Sequence, residues 1–129
     1  MPNLLLLEDQ PGWEALLANA VRNSRLTDCT IHRAETYAEA LRLIRDHEFQ
    51  VAVLDYTLER FGPEGRKTGL DVARALRAAA PGAAILLVTL ADPAPLRPAC
   101  DELYVTLVEK GRPDLEDEII REVVAGLAD

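Results

Sequence analysis

Cysteine is scarce in this chain. Cys29 and Cys100 are the only two in 129 residues, far apart and with no Cys or His at metal-ligand spacing beside them. A disulfide framework and a thiolate metal site are therefore excluded, and both thiols read as small inert residues. The two histidines, His32 and His47, also lack partners nearby in sequence and read as structural or surface residues. Positive charge is short as well, with 14 Lys and Arg against 22 Asp and Glu and a net charge of −8. Such a surface repels a phosphate backbone, so direct nucleic-acid binding is not expected. Long apolar runs are missing: LLLL and AAILLV fall far below the roughly 20 residues that span a bilayer, and no basic stretch precedes the first. The expectation is a soluble cytoplasmic protein without membrane insertion. No repeat or low-complexity tract is present.

What is present is enough apolar material, 49% of the residues, to build a core in one domain covering 1–129. Residues 3–8 form a continuous apolar run that stops at an acid, as suits a strand covered on both faces. After Pro11-Gly12, the residues Trp13, Leu16, Leu17, Ala20 and Val21 recur at helical spacing. Residues 29–34 alternate as a short strand. Thr36 then caps a helix with Glu39 in capping-box position and a stripe of Ala40, Leu41 and Ile44, with Phe49 at its far end. A buried strand over 50–55 ends at Asp55, and a polar, glycine-rich stretch from Tyr56 to Lys67 follows. Thr68 caps a helix whose Leu70, Val72, Ala73 and Leu76 point inward, and Pro81-Gly82 ends it. Strands over 84–89 and 103–109 follow, then a helix from Pro113 with Leu115, Ile119, Ile120, Val123, Val124 and Leu127 on one face.

Alternating strands and helices in so short a chain predict an α/β three-layer sandwich. Its five-stranded parallel sheet has the order 2-1-3-4-5, with helices on both faces and right-handed crossovers. In such a sheet the ligand site lies outside the carboxyl ends of the strands, beside the switch point between the first and third strands. That rule selects Glu8 and Asp9, Asp55, Thr89 and the region of Lys110. Three carboxylates brought together repel one another unless a cation shares the site. Oxygen donors without soft ligands favour Mg²⁺, which also takes phosphoryl oxygens. An Asp carboxylate can attack phosphorus and form an acyl phosphate, and Asp55 is the central candidate. A lysine ammonium and a threonine hydroxyl would stabilise the transferring group, roles that fall to Lys110 and Thr89.

The segments LLLLEDQ, VAVLD, TGLDVARALR and ILLVTL resemble, in order and nearly in spacing, the receiver domains of two-component response regulators, over almost the whole chain. The resemblance implies that Asp55 is the phosphoacceptor and that Glu8 and Asp9 hold Mg²⁺ with the backbone carbonyl of Thr57. It also implies that Thr89 is the switch hydroxyl and Lys110 the phosphate-facing lysine. The donor would be a histidine kinase or a phosphotransfer protein, and phosphorylation would alter binding to a downstream protein partner. Such a chain is a signalling domain with only weak self-catalysed phosphoryl transfer, not an enzyme in the usual sense.

Several residues depart from that pattern. The loop after Asp55 is about six residues longer than usual before Gly69, and brings Arg60, Arg66 and Lys67 near the acidic end as a solvated basic loop or a lid. Pro93, Pro95 and Pro98 fall where the family's fourth helix lies and predict a short or degenerate one. Leu107 stands at the place of the switch aromatic, Tyr104 lies an odd number of residues away, KGRP replaces Lys-Pro, and the bulky Leu90 follows Thr89. These favour an alternative, a pseudo-receiver that acts as a phosphorylation-independent interaction module. A haloacid-dehalogenase-like phosphatase wants an Asp where Thr57 stands. A flavin-binding flavodoxin is disfavoured because Glu8 and Asp9 would repel its phosphate.

Overall fold

The runs LLLL, VAVL and AILLV have no polar face to offer water, so each is stable as a strand only where both faces are covered. In the computed structural model, which describes residues 2–8, 15, 19, 29–57, 67–90, 92–109 and 115–127, those runs form the centre of one sheet. The strands are β1 (Asn3–Leu7), β2 (Thr30–Ala34), β3 (Val51–Asp55), β4 (Ala84–Thr89) and β5 (Thr106–Glu109). They pair in the order β2-β1-β3-β4-β5, every pair parallel. The described helices are α1 (Tyr37–Asp46), α2 (Gly69–Ala79), α3 (Arg97–Leu103) and α4 (Leu115–Leu127).

Strand alternation divides the core in two. Leu5, Leu7, Ala52, Leu54, Ile85 and Leu87 face one side, where Ala40 of α1, Val72, Ala73 and Leu76 of α2, and Cys100 of α3 complete the packing. Leu4, Leu6, Val51, Val53, Leu86, Val88 and Val108 face the other, against Ile119 and Val123 of α4. The result is the three-layer sandwich that the element order predicts. Ala15 and Asn19 are helical and exposed, one turn apart, and neither belongs to the stripe of Trp13, Leu16, Leu17, Ala20 and Val21, which lies outside the described residues. Within α1, Ala40 is the buried residue, with Tyr37, Leu43 and Ile44 packed against it; Leu41 is only half-buried, and Phe49 is buried from the turn beyond the helix.

Local signals account for the helix starts. Thr36 Oγ1 accepts from the Glu39 amide at 3.2 Å, while Glu39 Oε2 accepts from the Glu35 amide at 2.9 Å, closing both ends of the first turn of α1. At α2 the side-chain bonds run from Thr68 to the helix: Asp71 Oδ2 accepts from the Thr68 amide at 2.8 Å and from its hydroxyl at 3.3 Å. The three prolines shorten the next helix without abolishing it. A 3₁₀ turn, Ala94–Leu96, leads directly into α3, and Pro98 sits in the first turn of α3, where a missing N–H costs nothing. The helix stops at Tyr104, whose φ of 56° is left-handed. Residues 103–105 are therefore not strand as the sequence pattern implied; β5 begins at Thr106, and Tyr104 is a helix cap, not a residue of the sheet.

One arginine ties the ends of α2 and α3 together. Arg77 Nε donates to Leu103 O at 2.9 Å, Nη2 to Tyr104 O at 3.1 Å, and Nη1 to Pro81 O at 2.9 Å and Ala83 O at 2.6 Å. Carbonyls at helix C-termini have no partner within their own helix and carry the negative end of the dipole, so one guanidinium satisfies several at once. Replacing it with an apolar side chain of similar length removes charge-assisted bonds and leaves their acceptors unmatched. Arg77→Met is expected to lower unfolding stability by about 2 kcal/mol, with Arg77→Lys intermediate, as read from urea denaturation midpoints.

Candidate functional site

The switch point between β1 and β3 is where the sheet reverses its order, and two acids end those strands. Leu7 pairs with Leu54 in the parallel register, so the next residues, Glu8 and Asp55, stand side by side. Alternation puts both on the face of Leu6 and Val53. The Glu8 amide donates to Ala34 O at 3.0 Å, which extends the β1–β2 ladder one residue past the strand and fixes the backbone carrying that carboxylate. Both acids are buried, Glu8 at 3% and Asp55 at 8% exposure. Acids are seldom covered to that degree unless paired, hydrogen-bonded or bound to a cation.

The turn after β3 holds Asp55 from behind. Its Oδ1 accepts from the Thr57 amide at 3.3 Å, an Asx-type contact that orients the side chain over its own turn. The Tyr56 amide donates to Val88 O at 2.9 Å, and the Gly69 amide donates to Tyr56 O at 2.9 Å. The first residue of α2 is thereby drawn onto the end of β3. A Cβ on Gly69 would collide with the Asp55 carbonyl oxygen and lie 2.8 Å from its carbon, so only glycine permits this approach. Sequence reading used Gly69 only as a spacing landmark. Its role was recoverable, because a glycine at the start of a helix, one residue after a capping threonine, has no local conformational reason to be there.

Thr89 is buried, at 1% exposure. Val88 is the register partner of Asp55, so Thr89 stands one residue further along the neighbouring strand, and alternation starts its side chain on the Leu87 face. Leu90, directly beyond, is 78% exposed and projects outward. Asp9, Lys110 and the loop residues 58–66, with Arg60 and Arg66, lie outside the described residues. Lys67, at the loop's end, sits with Nζ 5.4 Å from the Tyr37 ring centroid, against α1. Among the described residues no three His, Cys, Asp or Glu side chains form a metal cluster; register sets Glu8 and Asp55 at neighbouring strand ends. A groove of about 550 Å³ opens at the opposite, amino-terminal edge, beside His47, Phe49, Leu76 and Pro81. Volume and chemistry part company here. The carboxylate pair is the stronger candidate, because it occupies the switch point, where open parallel sheets bind their ligands.

No protein-family model and no curated relative matches the sequence. Solved structures do match. The non-phosphorylated HemR receiver domain from Leptospira biflexa is 24% identical with a TM-score of 0.77, over 100% of this chain and 96% of that one. A CheY-like response regulator receiver domain protein from Methanospirillum hungatei JF-1 gives a TM-score of 0.79 at 14% identity, over 99% of this chain and 94% of its own. A response regulator protein from Burkholderia pseudomallei, solved with a phosphorylated aspartic acid, calcium ion and citrate, gives 0.71 at 19% identity over 97% of this chain and 72% of its own. The chain has the fold of response-regulator receiver domains.

Because Gly69 presses on the carbonyl of Asp55, Gly69→Ala should displace α2 from β3 and lower stability by about 2 kcal/mol, whereas Gly82→Ala, whose added methyl meets nothing within 4 Å, should cost far less. Paired thermal denaturation of the two variants checks this.

Proposed function

We propose that this chain is a single receiver domain that accepts a phosphoryl group on Asp55 and thereby changes its binding to another protein. The observation that carries the reading is the buried, in-register pair Glu8 and Asp55 at the switch point of a receiver fold. An Asp55 oxygen would attack the phosphorus of a phosphohistidine on a histidine kinase or phosphotransfer protein. The P–N bond breaks, the imidazole nitrogen takes up a proton, and an acyl phosphate remains on Asp55. The Thr57 amide, already directed at Oδ1, holds that carboxylate in one orientation over its turn.

Two buried carboxylates in adjacent strand ends fit a hard divalent cation and nothing softer, and Mg²⁺ is the ion of choice. Glu8, Asp9, Asp55 and the carbonyl of Thr57 would hold it. When bound, it supplies charge neutralisation for the approaching phosphoryl oxygens. Thr89 would donate its hydroxyl to the phosphoryl group once the strand end shifts, and Lys110 would pair with it. The setting is cytoplasmic signalling, with no direct nucleic-acid contact and no membrane insertion; no helix among the described residues is long and apolar enough to cross a membrane.

A pseudo-receiver is the second reading, favoured by one observation. Tyr104, the nearest aromatic to the usual switch position, caps α3 in the left-handed region and is 84% exposed, so no aromatic of β5 can rotate inward. Intact mass after incubation with acetyl phosphate or phosphoramidate and Mg²⁺ separates the two. One added phosphoryl group, lost in Asp55→Asn and much reduced without Mg²⁺, is the expected outcome. An unchanged mass, with no Mg²⁺ binding by calorimetry, leaves the pseudo-receiver.

A further inference from the structure

The two histidines that have no partners in sequence meet in space, on the edge opposite the carboxylates. His32 lies on β2 and His47 caps the C-terminus of α1, and their ring centroids are 4.2 Å apart at an angle of 36°. Phe49 closes the group edge-on, 5.4 Å from His32 and 6.1 Å from His47. We propose that His32 and His47 form a proton-sensitive latch, a stack that tolerates one proton but parts when both rings are charged, releasing the end of α1 and the turn before β3.

Asn3 sets the chemistry of the stack. Its Nδ2 donates to the Glu48 carbonyl at 2.9 Å, an acceptor that fixes which way the amide faces. Asn3 Oδ1 is therefore turned to His32 Nε2, 3.1 Å away, and accepts its proton. Nδ1 is left as the titrating nitrogen of His32. The Asn3 amide in turn donates to Gln50 Oε1 at 2.6 Å, and the Gln50 amide donates to Asn3 O at 3.1 Å. One network thus joins β1, β2 and the turn before β3, and stacking adds the end of α1, whose His47 amide donates to Leu43 O at 3.0 Å.

The charged groups around the stack do not relieve it. On α1, Arg45 and Asp46 are exposed and face each other at 3.5 Å; in the turn, Glu48 is exposed. On β2, Arg33 alternates to the other sheet face, where its Nη2 lies 2.9 Å from Glu35. On β1, Asn3 is uncharged. Burial, first, and the neighbouring His47, second, both push the His32 imidazole below its ordinary value. The sign follows from linkage. A histidine held lower in the folded chain favours folding above the unfolded value of about 6.5, and that contribution is lost as pH falls through the folded value. His47 and Phe49 also line the groove of about 550 Å³, which the parted stack would widen.

The chain holds only two histidines, so their ring-proton NMR signals are free of overlap. The titration of His32 is expected below about 6.5, with its midpoint rising in His47→Gln, a change on an exposed side chain. Amide exchange at His47 and Gln50, corrected for intrinsic rate, should accelerate roughly tenfold between pH 7 and pH 5 in the native chain, and much less in His47→Gln. A His32 midpoint that is the same in the native chain as in His47→Gln would overturn the latch. So would exchange at those two amides that does not depend on pH. None of these readouts requires a phosphoryl donor or Mg²⁺, so the outcome is independent of the role given to Asp55.

Discussion

The register between β1 and β3 is the constraint on which the rest of the molecule depends. Leu7 opposite Leu54 makes Glu8 the neighbour of Asp55, and a slip of one residue would send one of those carboxylates to the opposite face and, with it, turn Leu4 and Leu6 out of their core. The apolar alternation that selects the fold therefore also selects the site. Both of those acids are buried there. That arrangement is fixed because Leu4 to Leu7 of β1 and Val51 to Leu54 of β3 are committed to one core or the other.

Parallel topology separates two kinds of chemistry onto two edges. Helices that return antiparallel to the strands gather their C-termini at the amino-terminal edge, where the dipoles concentrate negative potential. There the chain places cationic and titratable groups: Arg77 across the carbonyls of residues 81, 83, 103 and 104, and the His32–His47 stack beside the end of α1. At the carboxyl edge it places acids and a glycine. Gly69 lets α2 begin against Asp55, so the helix N-terminus and the strand end meet without an intervening side chain.

Much of this was legible in sequence because it rests on period and position. The strand over 84–89 coincides with β4, and Val72, Ala73 and Leu76 are buried where helical spacing put them. Glu8 and Asp55 follow from a topological rule alone, without any resemblance, and the register sets their strand ends side by side. What the sequence hid was three-dimensional. His32 and His47 are separated by a whole helix, and no local pattern announces that an edge strand and a helix cap will meet. Arg77 reads as an ordinary basic residue in a last turn until the carbonyls from α3 arrive beside it. Tyr104 misled for a local reason: Leu103 and Val105 suggest a strand, but Leu103 belongs to α3 and the chain reverses through a left-handed residue before β5 starts.

That reversal shapes how a signal could leave the site. The end of α3 is tied by Arg77 to the end of α2, because the Leu103 and Tyr104 carbonyls share one guanidinium with Pro81 and Ala83. These bonds hold α3 at its C-terminus, while its other end is entered through the 3₁₀ turn of Ala94–Leu96, with the exposed Leu90 upstream. Thr89 is the last residue of β4 before that stretch, one residue beyond the register partner of Asp55. What joins the strand end at Thr89 to α3 is thus a proline-rich entry, and β5, from Thr106 to Glu109, carries no aromatic.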